Sequence, residues 1–192
     1  MFFKKIKFNR NNINKKGFTI IELLVVISII GLLSTISVVS LNGARIKSRD
    51  ARRLADMQQI LTALELYYNE YGTYPATPSV YGEGTTCGGW DTSRFDSDGD
   101  GKNFIEPLFD AGFLNKKIHA PGDTSTSACG GYDYYLYMAG NSGCDASKGA
   151  YFVLGIRDLE GTSGPHPSSP GWKCPSRNWQ GEFEWVTGGF NN

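Results

Sequence analysis

The stretch Lys15-Lys16-Gly17-Phe18-Thr19-Ile20-Ile21-Glu22-Leu23-Leu24-Val25-Val26-Ile27 turns a basic N-terminus into an apolar run. From Leu23 to Ala44 there are 22 residues without a charge, most of them Ile, Leu or Val. At ~1.5 Å per residue such a run can cross a ~30 Å hydrocarbon core. A removable secretory signal peptide has a shorter apolar core and ends in a small-residue A-x-A site, and none follows Val39. A plain signal anchor fits the length but leaves Glu22 unexplained. A carboxylate costs roughly 2–3 kcal/mol at the bilayer centre and less near its edge, so it takes a partner.

Charge is distributed unevenly around this run. The chain has 192 residues, 19 Lys or Arg and 19 Asp or Glu. Residues 1–17 hold six cations (Lys4, Lys5, Lys7, Arg10, Lys15, Lys16) and no acid. Residues 18–71 hold five of each sign, so 72–192 carry 8 basic and 14 acidic groups, a net of −6. An acidic head repels phosphate backbones, and no nucleic-acid partner is expected. Arg45, Lys47, Arg49, Arg52 and Arg53 flank the far side of the run, so charge alone biases the N-terminus only slightly toward the cytoplasm.

The segment from Lys15 to Ile27 resembles the type III signal of prepilins, which identifies the chain with the type IV pilin and type II secretion pseudopilin family. The resemblance implies that a membrane prepilin peptidase cuts after Gly17 and methylates the new N-terminal Phe18. It makes Glu22 the fifth mature residue. It implies residues 1–17 as a removed leader, 18–44 as a transmembrane and assembly helix, 45–71 as an amphipathic helix and 72–192 as an extracytoplasmic head. The implied partners are copies of the same chain in a filament, the peptidase, an inner-membrane assembly platform, and membrane lipid before assembly. The implied location is the inner membrane, followed by a periplasmic or extracellular filament serving adhesion, motility, secretion or DNA uptake. The physics agrees: cleavage creates an ammonium on Phe18, and Glu22 of a neighbouring subunit can neutralise it where unpaired charge is costly.

The helix is expected to continue past Ala44. Leu54, Met57, Leu61, Leu64, Tyr68 and Tyr71 recur at spacings of 3, 4, 3, 4 and 3, one apolar stripe of an amphipathic helix. Gly72 is the expected cap, with Pro75 soon after. A helix from Thr19 to Tyr71 is 53 residues, roughly 80 Å. Ser40, Asn42 and Gly43 form its weak point. Many pilins carry a proline in this region and this chain does not.

Residues 72–192 read as a loop-rich head, and the fold class as α+β: a long N-terminal helix packed on a small antiparallel sheet. Residues 103–114 suggest a short helix with Ile105, Leu108 and Phe109 on one side, ended by Gly112. Residues 132–139 and 150–157 read as an antiparallel hairpin, and 182–187 as a third strand in a sheet of three or four. The course from Tyr67–Pro75 through a short helix to a Tyr-rich strand is similar to the major pseudopilin of type II secretion. Cys87, Cys129, Cys144 and Cys174, an even number beyond a membrane anchor, suggest two disulfides with three possible connectivities. Zinc is the weaker reading, because there is no CxxC and His119 and His166 stand alone.

One stretch suggests a metal. Asp96-Ser97-Asp98-Gly99-Asp100-Gly101-Lys102 matches the first half of an EF-hand loop, with acids at positions 1, 3 and 5 and glycine at 6. Three carboxylates two residues apart converge on one hard cation, and the Lys102 carbonyl adds an oxygen. Position 12 is Pro107, and the nearest acid is Glu106. Calcium is therefore the expected cofactor, with Asp91 and Asp110 as alternative ligands and a solvated Asp/Gly turn as the plain alternative. Trp90, Trp172, Trp179 and Trp185 suit either a sugar-binding face or core packing, and packing is the commoner use. With no G-x-S-x-G, P-loop or H-E-x-x-H, nothing supports catalysis. The expected role is structural and non-enzymatic. The competing role is a signal-anchored calcium- or sugar-binding, or hydrolytic, module.

Overall fold

The computed structural model describes residues 17–77 (the side chains of 36–39 excepted), 89–93, 104–115, 118–122 and 130–191. The chain divides into two compact units, Met1–Gly43 and Ala44–Asn192. Helix α1, Ile20–Tyr71, contributes to both. In the first unit the described apolar side chains of α1 are exposed, from Val26 at 46% to Ile20 at 84%. The length and hydropathy of this stretch suit a membrane span.

In the second unit one face of α1 is buried. Met57, Ile60, Ala63 and Leu64 lie in the core, with Leu54, Leu61, Tyr67 and Tyr68 half-buried beside them. The expected stripe is shifted: Tyr71 is 54% exposed, while Ile60 and Ala63 lie inside. The reason is local. The helix stops at Tyr71, where Gly72 takes φ 72° and its N–H donates to the Tyr68 carbonyl at 2.8 Å. The chain then turns back, and Tyr74 stacks on Tyr68 and enters the core.

The sheet has four antiparallel strands in the order β1-β2-β3-β6: β1 Asp91–Thr92, β2 Gly131–Tyr137, β3 Tyr151–Arg157 and β6 Trp185–Phe190. The register pairs Tyr134 with Leu154 and Leu154 with Thr187. Alternation along the strands gives each face its own core. Tyr132, Tyr134, Phe152, Leu154, Ile156 and Trp185 face α1 and the short helix α2, Glu106–Asp110. Tyr137, Tyr151, Val153 and Val186 face the opposite way, where Trp90, Trp179 and Phe183 cover them. Residues 160–183, unmatched to any motif in sequence, supply most of that outer layer.

The hairpin forms as expected, and the short helix forms but spans only Glu106–Asp110, with Ile105 left outside as its left-handed cap. The third strand begins at Trp185 rather than Glu182. A 3-10 turn at Trp179–Gly181 ends with Glu182 as its cap, which delays the extended run, and the strand then continues through Gly188 and Gly189. Sequence patterning undervalues those glycines. A Cβ at Gly188 would collide with the Trp172 indole and one at Gly189 with the Phe152 ring, so bare backbone is what lets rings pack on both faces. A second hairpin, β4 Lys173–Cys174 with β5 Arg177–Asn178, has no counterpart in the sequence reading. Cys174 there is disulfide-bonded to Cys144, in the loop after β2, with Cα atoms 4.9 Å apart and a sequence separation of 30. Closing a loop of that length stabilises by roughly 3–4 kcal/mol in the chain-entropy account. This pairing removes two of the three connectivities; Cys87 and Cys129 lie outside the described residues.

Candidate functional site

Gly17, Phe18 and Thr19 precede the first turn of α1 without regular structure. Phe18 is 85% exposed, and a Cβ on Gly17 would meet nothing within 4 Å. The Gly17–Phe18 junction is thus exposed among the described residues. Thr19 and Glu22 form a capping box, the Thr-x-x-Glu pattern that satisfies backbone donors at a helix start. Glu22 Oε2 accepts from the Thr19 N–H at 2.8 Å and from Thr19 Oγ1 at 2.7 Å, and the Glu22 N–H donates back to Thr19 Oγ1 at 3.3 Å. Sequence reasoning assigned Glu22 a partner in another subunit and missed this one within its own chain. The Thr19-to-Glu22 spacing was the signal for it. Oε1 takes no hydrogen bond among the described residues.

The acidic stretch gives a second arrangement. Asp96, Asp98, Asp100 and Lys102 lie outside the described residues. The groups on either side of it meet at Asp91, the first residue of β1, which is 1% exposed. Its Oδ2 accepts from the Ile105 N–H at 2.8 Å. Ile105 sits at φ 53°, ψ 53°, a costly conformation for a β-branched residue, and caps α2, whose first residue is Glu106. Asp91 Oδ1 is buried without a hydrogen-bond partner. Burial, with Asp133 and Glu106 adding repulsion, pushes the Asp91 carboxyl up to about 8, against the Ile105 hydrogen bond that pulls it down. Asp110 ends α2 and is exposed. Asp133 on β2 is also buried, but Arg157 Nε donates to it at 2.5 Å. Among the described residues no cluster of three His, Cys, Asp or Glu could hold a metal.

A third cluster had little sequence signal beyond the Asp50–Arg53 spacing. Arg53, 3% exposed, donates to Asp50 at 2.8 Å and to the Pro121 carbonyl at 2.7 Å, and pairs with Glu160 at 3.0 Å. Asp50 also accepts from the Glu160 N–H at 3.1 Å and the Gly161 N–H at 2.7 Å. Arg49 grips both Glu160 oxygens, and that hydrogen bonding holds the Glu160 carboxyl below its usual range. These bonds tie two loops to α1. The tryptophans do not make a sugar face: Trp90, Trp179 and Trp185 are buried. Half-buried Trp172 borders an open pocket of about 450 Å³ with Lys173, Asn178 and Gln180.

The prokaryotic N-terminal methylation motif matches residues 12–38. The chain is 30% identical over 70 residues to the type II secretion system core protein G of Pectobacterium carotovorum, covering 36% of this chain and 45% of that one. It is 38% identical over 77 residues to the fimbrial protein EcpC of Eikenella corrodens, covering 39% and 49%. Against core protein G of Escherichia coli K12 it is 35% identical over 63 residues, covering 33% and 43%. The chain thus spans about half the length of the curated relatives it matches, and no solved structure matches it. The motif and the apolar helix fit a subunit anchored in the inner membrane. The methylation motif and these relatives, all matched through the N-terminal part of the chain, support a type IV pilin or type II secretion pseudopilin.

Proposed function

We propose that this chain is a structural subunit of a type IV pilus or type II secretion pseudopilus, cut after Gly17, methylated on Phe18 and assembled through α1 with copies of itself. The observation that carries this reading is the pairing of an exposed Gly17–Phe18 junction with a helix whose described apolar side chains before Gly43 are exposed. Such a surface needs lipid before assembly and neighbouring subunits after it. The prepilin peptidase and an inner-membrane assembly platform are the partners this requires. The test is intact mass and N-terminal sequencing of membrane-extracted protein from cells with an active prepilin peptidase. The mature chain should begin at Phe18 and weigh about 2 kDa less than the precursor, the mass of a 17-residue leader. A mature chain still carrying Met1 would sink the reading.

A calcium ion at the Asp96, Asp98, Asp100 stretch is part of the same proposal, with the Lys102 carbonyl, Glu106 and Asp91 as further oxygens. What supports it is Asp91: a buried carboxyl that forms no ion pair among the described residues and has one oxygen without a hydrogen-bond partner there, which a hard divalent ion would satisfy. Bound there, the ion would supply charge neutralisation and fix the loop; no catalytic step follows from it. Thermal unfolding of the full chain in detergent, with calcium, magnesium or chelator, decides it. Calcium should raise the melting temperature by ligand linkage, and Asp96→Asn with Asp98→Asn should remove the increment. Identical curves in all three conditions would make the stretch an ordinary polar turn.

A further inference from the structure

Five cations follow the uncharged run on the side away from the basic leader, which opposes the usual charge bias of membrane proteins and calls for a physical reason. The fold divides them into two groups. Arg49 and Arg53 are matched by Glu160 and Asp50 in the cluster described above, two guanidiniums against two carboxylates. Arg45, Lys47 and Arg52 are exposed and form no ion pair among the described residues. The acids of the same helical stretch are turned inward. Asp50 is 9% exposed and bound by Arg53 and two backbone N–H groups. Asp56 is 8% exposed and accepts from the Tyr132 hydroxyl at 2.8 Å. Charge that is balanced in sequence is therefore sorted by tertiary structure, with anions inside and three unpaired cations outside.

Their placement is specific. Arg45 is the first residue after the run that ends at Ala44. Arg52, seven residues on, returns to nearly the same side of the helix about 10 Å further along, and Lys47 points to the opposite side. All three lie within about one Debye length of the end of the run. Guanidinium groups bind phosphate through paired hydrogen bonds, and ammonium binds it as a point charge.

We propose that Arg45, Lys47 and Arg52 form a cationic collar that binds the phosphates of anionic phospholipid headgroups at the extracytoplasmic membrane surface. The collar seats the subunit at a fixed depth before assembly. This inference rests on the reading of residues 23–44 as a membrane span. A basic residue at an anionic surface favours contact by roughly fivefold, so three together favour it on the order of a hundredfold.

The experiment uses the full mature chain in neutral detergent, with phosphatidylglycerol and phosphatidylcholine competing in equal amounts and bound lipid counted by native mass spectrometry. The parent should retain phosphatidylglycerol preferentially, by tenfold or more. The triple variant Arg45→Gln, Lys47→Gln, Arg52→Gln should bring the two lipids to parity, as should 0.5 M salt, where the screening length is about 4 Å. The charge-keeping variant Arg45→Lys with Arg52→Lys should retain most of the preference, and near-UV circular dichroism checks that each variant keeps its fold. Equal retention by the parent, or a preference that survives the triple variant, overturns the collar. Displacement of the lipid by millimolar inorganic phosphate would assign the site to free phosphate and overturn the lipid reading. Salt-sensitive self-association without any lipid preference, lost in the triple variant, would assign the collar to the acidic head of a second copy and also overturn it. The span is checked apart from the collar: a chain released from membranes by alkaline carbonate fails the span, whereas a retained chain without lipid preference fails the collar alone.

Discussion

Met57, Ile60 and Leu64 are completely buried in the second unit, whereas Ile20, Leu24 and Ile30, in the same helix α1 but in the first unit, are 84%, 56% and 57% exposed. Backbone hydrogen bonding makes both stretches helical; side-chain surroundings make them different objects. The second unit removes its apolar surface from water by its own folding, at about 25 cal/mol per Å². The first leaves that work to lipid or to other subunits. The difference teaches that stability and assembly are encoded separately here, so a substitution in one unit should leave the property of the other intact.

The strongest way to break this separation is at Glu22. Glu22→Leu makes the span more apolar, so membrane insertion should persist while sheared-filament yield falls by tenfold or more. The melting temperature of the head should not move, because the side-chain hydrogen bonds of Glu22 among the described residues go to Thr19 alone. Thr19→Val sharpens the test. It removes the capping box, worth about 1 kcal/mol, and leaves the carboxylate, so its yield should stay well above that of Glu22→Leu. Equal losses would mean that Glu22 acts as a cap and not as the partner of the Phe18 ammonium.

The opposite outcome is expected at Gly155, in the middle of β3. A Cβ there would press into the Phe183 ring, with Cγ at 2.7 Å and Cε1 at 2.8 Å. Gly155→Val should destabilise the head by roughly 1–3 kcal/mol in denaturant titration, as overpacked cores do. Processing after Gly17 should be unchanged. A variant with wild-type stability would show that the outer aromatic layer is loose.

The last test is a pH slope. Asp91 has an ordinary value of 3.8, and burial raises it to about 8 in the folded head. Between those values the unfolded chain is ionised and the folded chain holds the proton, so stability falls as pH rises, by about 1.4 kcal/mol per unit at most. Asp133, raised by burial to about 7 against the pull of Arg157, contributes in the same direction up to that pH. In chelator, Asp91→Asn should flatten the slope between pH 5 and pH 8 and make the head more stable at pH 8. A slope unchanged by this substitution would show that the Asp91 carboxyl ionises inside the fold without cost.

The local parts of this protein were legible without a structure. An uninterrupted apolar run, a helical spacing of three and four, a glycine able to take φ 72° and two alternating aromatic strands are each written in neighbouring residues. The anchor, α1, its cap at Gly72 and the β2–β3 hairpin follow from them. Tertiary structure decided what depends on residues far apart in sequence. Arg49 meets Glu160 across 111 positions, and Tyr132 meets Asp56 across 76. No periodicity announces such pairs, because periodicity reports the geometry of one element and not which element lies opposite. The same holds for Gly188, whose bare backbone makes room for the Trp172 ring, and for Asp91, an alternative metal ligand in sequence that β1 carries out of water. Of five cations past the apolar run, only the fold determines that two are neutralised and three face outward.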